Sequence, residues 1–321
     1  MNDKKKVLVI GGAGYIGSRL CMDIADDYNV SSWDFCRYST ANVPNTNRDY
    51  SSITASDIED YDAIILLAGH SSVRMCDGTP YGVIKNNVFN FVNLLQCVRS
   101  DQTFIYASSA SVYGNCTQEI ATENTPFESA YNMYDMTKQT IDSYTSTSGK
   151  LKSRVFGLRF GTVNGSSPIL RDDVMLNAMT SSAWNQKQVK LYSPKTRRSI
   201  LAISDLTRGI RAILSSNRDC GGIYNMASFT STSGEMASAV SETFSVPVNL
   251  MAPVDGSVIK GNEKLMSSKY DFSLGCDKFC SDFDFRFEGS IDSILNELTD
   301  HRQSMLHTNR NDPFDYDWSI L

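Results

Sequence analysis

No stretch of the sequence approaches the roughly 18 uninterrupted apolar residues that a membrane-spanning helix needs, so no membrane partner is expected. Concentrated positive charge is missing too. The one basic run, Lys4-Lys5-Lys6, is short, and the net charge of -6 argues against a nucleic-acid surface. Histidine is rare: His70, His301 and His307 are the only three, and their scatter suggests no metal site. Eight cysteines in 321 residues do not make a disulfide framework. Cys276 and Cys280 have no second Cys or His pair at zinc spacing, so they read as buried thiols. Internal repeats, low-complexity tracts and a signal-peptide pattern are all absent, which leads to the expectation of a cytoplasmic protein. What is present is ordinary for a folded chain: 41% hydrophobic and 21% charged residues, long enough for one large domain or two coupled ones.

The first informative stretch is Val7-Leu8-Val9-Ile10, an apolar run suited to a strand buried on both faces of a parallel sheet. Gly11, Gly14 and Gly17 follow, opening a helical pattern that runs to about Ala25. Glycines at this spacing between strand and helix permit a tight turn, a close approach to a pyrophosphate and tight helix–strand packing. The helix N-terminus then offers free N–H groups to phosphates. A second strand, Asn29 to Trp33, ends at Asp34, where an acid would hold the adenosine ribose hydroxyls and favour NAD. Arg37 pulls the other way, since it would offset Asp34 and admit NADP. Either Asp49-Tyr50 or Asp57-Ile58 would close a third strand near the adenine. Asp62 to Gly69, with Leu67 near its end, reads as the next buried strand, and its small last residues, Ala68 and Gly69, would let the backbone pass the cofactor closely.

Residues 103 to 138 carry the chemistry. Thr103 to Ala107 is a strand that leads into Ser108 to Gly114, and Tyr134 and Lys138 come later on one helical face, a turn apart. A lysine ammonium beside a phenol favours the phenolate, so the pKa of Tyr134 is expected to fall from about 10 toward neutrality and yield a general base. Ser109 would hydrogen-bond the hydroxyl that Tyr134 deprotonates. Between these parts, Pro80 to Arg99 reads as one helix, from which Asn87 would face the sheet end. Beyond them, Val155 to Phe160 is a strand, Gly161 to Pro168 a loop, Met175 to Trp184 a helix, and Ser199 to Ile203 and Gly222 to Met226 strands. An aromatic, acidic tail with Phe314, Tyr316 and Trp318 ends the chain.

Taken together, Gly11-x-x-Gly14-x-x-Gly17, Asp34, Leu67-Ala68-Gly69, Asn87-Val88, Ser108 to Gly114, Tyr134-x-x-x-Lys138 and Leu158-Arg159-Phe160-Gly161-Thr162 resemble the extended short-chain dehydrogenases/reductases, in the NAD-dependent sugar epimerase/dehydratase family. The likeness runs from residue 7 to about 226, and Lys264-Leu265 through Leu274-Gly275 is similar to a segment near the family's end. It implies an α/β protein: a doubly wound Rossmann sheet over 1–165, returning near 199–226, with a smaller, mostly C-terminal nucleotide-sugar-binding domain over 166–321. It implies Ser109, Tyr134 and Lys138 as the catalytic set, with Lys138 also holding the nicotinamide ribose. The expected cofactor wall is Gly11, Gly14, Tyr15, Ile16, Gly17, Asp34, Arg37, Asp49, Tyr50, Leu67, Ala68, Gly69, Asn87, Tyr134, Lys138 and Phe160. The expected substrate contacts are Ser109, Ser111, Thr162, Arg171, Asn177 and Arg198. The family often dimerises through two helices per subunit, which implies a homodimer here.

Dehydrating members of that family carry an acidic pair just after the catalytic Ser or Thr. Here the positions are Ala110 and Ser111, and neither is an acid or base at neutral pH. The pattern is closest to UDP-galactose 4-epimerase-like enzymes, apart from Thr162, where those enzymes place Asn. The expectation is a redox-neutral NDP-hexose epimerase. A 4-ketosugar reductase or dehydrogenase using NAD(P)H, or a sugar dehydratase of the same family, is the alternative, and a non-catalytic cofactor-sensing protein the third.

Overall fold

The computed structural model describes residues 4–35, 45–76, 79–114, 116, 119–251 and 271–308. Arg37, the segment around Lys264 and the aromatic tail lie outside the described residues.

A seven-stranded parallel sheet positions everything else. Its strands are β1 (Lys6–Ile10), β2 (Asn29–Asp34), β3 (Asn45–Asn47), β4 (Ala63–Leu66), β5 (Thr103–Ser109), β6 (Val155–Phe160) and β7 (Gly222–Met226). Their order across the sheet is β7-β6-β5-β4-β1-β2-β3. The order reverses at β1, so the ends of β1 and β4 flank a crevice at the switch point, where ligands of such sheets bind. Strand alternation sorts the apolar residues onto two faces. Val7, Val9, Ile65, Ile105 and Leu158 pack with the helices Tyr15–Ile24 and Ile203–Ser215. Leu8, Ile10, Ile64, Phe104 and Tyr106 pack with Phe91, Leu94 and Leu95 of the helix Asn90–Cys97. With apolar side chains on both faces, β1 and β4 need the near-continuous hydrophobic runs seen in the sequence.

Smaller sheets sit beside this one. Thr162–Asn164, inside the stretch expected to be a loop, pairs in parallel with Arg197–Ala202, which pairs antiparallel with Phe229–Thr232. Val163 is buried there opposite Leu201, so a three-residue strand forms where the local composition suggested none. Ile120–Ala121 pairs with Ser273–Leu274.

The expected helix over 80–99 is interrupted. Pro80–Ile84 is α-helical, Lys85–Phe89 is a π turn, and Asn90–Cys97 resumes the α-helix. Within the wider turn, two successive asparagines, Asn86 and Asn87, both bond His70. No helix among the described residues is long and apolar enough to cross a membrane.

Candidate active site

Two adjoining cavities lie at the C-terminal ends of the strands, one of about 290 Å³ and one of about 600 Å³. They share Tyr15, Ile16, Leu67, Ala68, Gly69, Ser71 and Arg171, so together they form one cleft with two chambers.

The smaller chamber is built on the glycine turn. Gly11 leaves β1 with φ of 94°, and a Cβ there would stand 2.5 Å from the Ala68 nitrogen, so only glycine fits between the turn and the end of β4. The helix Tyr15–Ile24 begins at Gly14, and its first-turn N–H groups have no acceptor within the helix. Asp34 closes the end of β2, where its carboxylate accepts from Ala13 N–H at 3.0 Å. Asp49 and Tyr50 line the same chamber. Asp57 does not: it caps the helix Ala55–Ile58 and holds Arg48, so Asp49-Tyr50 is the pair at the wall. Arg48 stacks over the Trp33 ring at 4.3 Å and lines the chamber. This set suits a dinucleotide: bare backbone and helix N–H groups for a pyrophosphate, and a carboxylate where ribose hydroxyls would lie.

The larger chamber collects Ser109, Ser111, Tyr134, Lys138, Phe160, Thr162, Arg171 and Arg198. Ser109 ends β5 and caps the single turn Ala110–Tyr113 by accepting from Ser111 N–H at 3.2 Å. Its hydroxyl donates to the Ser111 hydroxyl at 2.9 Å. Tyr134 and Lys138 lie on the helix Met133–Thr147, which Asn132 caps by accepting from Asp135 N–H at 2.9 Å. Lys138 Nζ donates to the Ala107 carbonyl at 2.7 Å and lies 5.7 Å from the Tyr134 ring centroid. Helical spacing brings the phenol and the ammonium to one wall, and the end of β5 brings the Ser109 hydroxyl to the same chamber.

The electrostatics differ from the sequence expectation. The Tyr134 phenol lies above its ordinary value, not below it, because burial disfavours the phenolate more than hydrogen bonding with Ser109 and the charge of Arg171 favour it. Burial also pushes the Lys138 ammonium down to about 8, against the pull of Asp142 and Cys76. His70, on the wall of the larger chamber, is pushed down to about 4 by burial and is neutral near pH 7.

Two expected site residues lie off the walls. Asn87 is a buried clasp: its Oδ1 accepts from His70 N–H at 2.8 Å, and its Nδ2 donates to the His70 carbonyl at 3.1 Å and to Thr137 Oγ1 at 3.2 Å. Those bonds tie the loop after β4 to the tyrosine helix, so the amide is used up behind the cleft. Asn177, fully buried, accepts from Gly165 N–H at 3.0 Å and donates to the Arg171 carbonyl at 2.9 Å and the Tyr15 hydroxyl at 3.2 Å. It reaches neither chamber's wall and instead secures the strand that carries Arg171.

Other residues reach the walls without having been expected there: Arg48, Asn86, Ser71 and Met75 in the smaller chamber, Asp173 and Phe272 in the larger. A doubled asparagine in a helical stretch was the one local hint, for Asn86. Arg171 and Asp173 pair at 2.7 Å, so the Asp173 carboxylate on the wall of the larger chamber is already engaged. No group of metal-ligating side chains occurs among the described residues.

The sequence pattern of the NAD dependent epimerase/dehydratase family matches residues 7–227. An uncharacterized UDP-glucose epimerase, YtcB, of Bacillus subtilis (strain 168) is 31% identical over 69% of this chain and 76% of its own length. Protein CapI of Staphylococcus aureus is 24% identical over 92% of this chain and 97% of its own. Among solved structures, a UDP-glucuronic acid 4-epimerase from Bacillus cereus, in complex with UDP-glucuronic acid and NAD, superposes with a TM-score of 0.77 at 20% identity. That likeness covers 93% of this chain and 99% of the other, and shows that the fold is shared.

Proposed function

The chain belongs to the NAD dependent epimerase/dehydratase family, and from that premise, with a UDP-glucose epimerase and a UDP-glucuronic acid 4-epimerase bound to NAD among the proteins similar to it, we propose that it is an NDP-hexose epimerase working through a transient 4-keto sugar. The observation that carries this choice is the stretch after Ser109. Ala110 and Ser111 put no carboxylate beside the reacting groups, so nothing there expels a hydroxyl as water. A reaction that ends in the other epimer needs no such acid.

In this reading Tyr134 takes the proton from the sugar C4 hydroxyl and later returns it, which requires the positive charge held beside it to offset the burial that disfavours its phenolate. Ser109 donates a hydrogen bond to the same oxygen as it gains carbonyl character. Lys138 keeps a positive charge near the phenolate and holds the ribose of the bound dinucleotide. When bound, NAD supplies a reversible hydride acceptor next to the sugar. Gly11, Gly14, Tyr15, Ile16, Gly17, Asp34, Asp49, Tyr50, Leu67, Ala68, Gly69 and Phe160 are the residues we assign to holding it. Arg198 and Arg171 are assigned to the substrate diphosphate, which a guanidinium fork suits. Thr162 and Ser111 face the sugar in the same assignment. The division into a cofactor half (1–165) and a mainly substrate half (166–321) belongs to this proposal. So does a homodimer formed through the tyrosine helix and the 80–97 helix, where Tyr81 and Phe89 are 74% and 58% exposed.

The test is direct. Purified protein incubated with UDP-hexoses and UDP-hexuronates yields the C4 epimer of one of them without added cofactor. Tyr134→Phe, still folded and still holding NAD, loses at least about a hundredfold in kcat. Epimerisation at the native rate by Tyr134→Phe removes Tyr134 as the base. Consumption of added NADPH with a reduced product replaces the reading with the ketosugar reductase.

A further inference from the structure

Beneath the reaction chamber lies an ion pair sealed from water. Arg159 Nε meets Asp142 Oδ2 at 2.7 Å, with side chains 5% and 0% exposed. Asp142 is one helical turn beyond Lys138, and its other oxygen accepts from the Tyr106 hydroxyl at 3.0 Å. Arg159, on β6, stands in register with Ser108 of β5. Its Nη1 donates to the Tyr113 hydroxyl at 2.8 Å, and Tyr113 donates onward to Asn225 Oδ1 of β7 at 2.6 Å. Tyr113 belongs to the single turn that Ser109 caps.

A buried ion pair is poor evidence of added stability, because desolvation offsets most of the attraction. Its placement indicates another role. One arm of Arg159 grips the helix that bears Tyr134 and Lys138, and the other grips the turn that Ser109 caps. We propose that Arg159, Asp142 and Tyr113 are positioning residues that fix the Ser109 turn against the Tyr134–Lys138 helix, with Asp142 also acting on the charge of Lys138. The proposal rests on the assignment of Ser109, Tyr134 and Lys138 as the reacting set. The charged and titratable groups facing Lys138 are Tyr134 and Asp142 on its own helix and Cys76 from the helix Val73–Cys76. Those facing Asp142 are Tyr106 from β5 and Arg159 from β6. Of the groups that oppose burial in setting the Lys138 ammonium, the Asp142 carboxylate is the largest.

Two readouts test it. The first needs no substrate: the Lys138 ammonium is titrated by NMR in protein labelled with ¹⁵N-lysine, its signal identified by its loss in Lys138→Met. Asp142→Asn lowers that midpoint by about one unit. An unmoved midpoint in a folded Asp142→Asn protein overturns the electrostatic part. The second uses Tyr113→Phe, which leaves the ion pair intact and removes one hydroxyl. It lowers kcat about tenfold with KM within about twofold and the Lys138 midpoint unchanged, as misplacement of a reacting group requires. Native kcat in Tyr113→Phe overturns the positioning role, as does a failure of Asp142→Glu to recover activity over Asp142→Asn. If wild type epimerises no NDP-hexose while the Lys138 midpoint still falls in Asp142→Asn, the reaction assignment fails and the action of Asp142 on Lys138 stands.

Discussion

The two chambers of the cleft are walled by different materials. The smaller has a backbone floor, made of the glycine turn after β1, the end of β4 and the first turn of one helix, closed by side chains that include Trp33, Arg48, Tyr50 and Arg171. The larger is side chains, drawn from the main sheet, the tyrosine helix and the small sheet of Thr162–Asn164. A wall of backbone is damaged by adding atoms. A wall of side chains is damaged by removing them, because a bonded polar group there, such as Ser111 with Ser109 or Asp173 with Arg171, has a partner that would lose its bond.

That contrast can be broken at specific positions. The largest effect is expected at Gly14. A Cβ there meets only the Gly11 carbonyl, at 3.3 Å, and otherwise open space, so the fold has room for a side chain that the bound cofactor does not. Gly14→Val should bind NAD about a hundredfold more weakly, ~2.7 kcal/mol, by calorimetry, while its melting point stays within about 5 °C of wild type. Undiminished NAD binding would mean that no pyrophosphate passes this turn. Next comes the side-chain clasp behind the walls: Asn87→Ala strips three buried hydrogen bonds and leaves His70 N–H without its acceptor. Denaturant titration should show a loss of about 2–3 kcal/mol. NAD affinity should change less than about threefold, given that the amide lies off the chamber walls. A loss of affinity as large as that of Gly14→Val would return Asn87 to the cofactor contacts suggested by the sequence.

The backbone-built half was the more legible in the sequence, for a physical reason. Buried parallel strands announce themselves as apolar runs, and glycines spaced between a strand and a helix mark a backbone that must turn tightly and be approached closely. So β1, β4 and the Gly11 to Gly17 turn could be read locally. Tyr134 and Lys138 were legible because helical periodicity alone sets them on one face. What the sequence did not disclose depends on long-range partners. The strand Thr162–Asn164 exists only because Arg197–Ala202 lies alongside. Asn177 looked like a substrate contact because nothing local shows that Gly165, Arg171 and Tyr15 surround it. The phenol of Tyr134 was expected low because the neighbouring lysine is visible in the spacing, whereas the burial that outweighs it is a property of the whole fold.

The most direct test of the central claim follows the sugar's own hydrogen. An NDP-hexose carrying deuterium at C4 is converted in ordinary water, and the product is examined by mass spectrometry and NMR. The account predicts a C4 epimer with its deuterium still at C4 and none lost to solvent. Deuterium lost from the product, or found on a deoxygenated C6, would contradict the epimerase reading and place this chain among the reductases or dehydratases that share its fold.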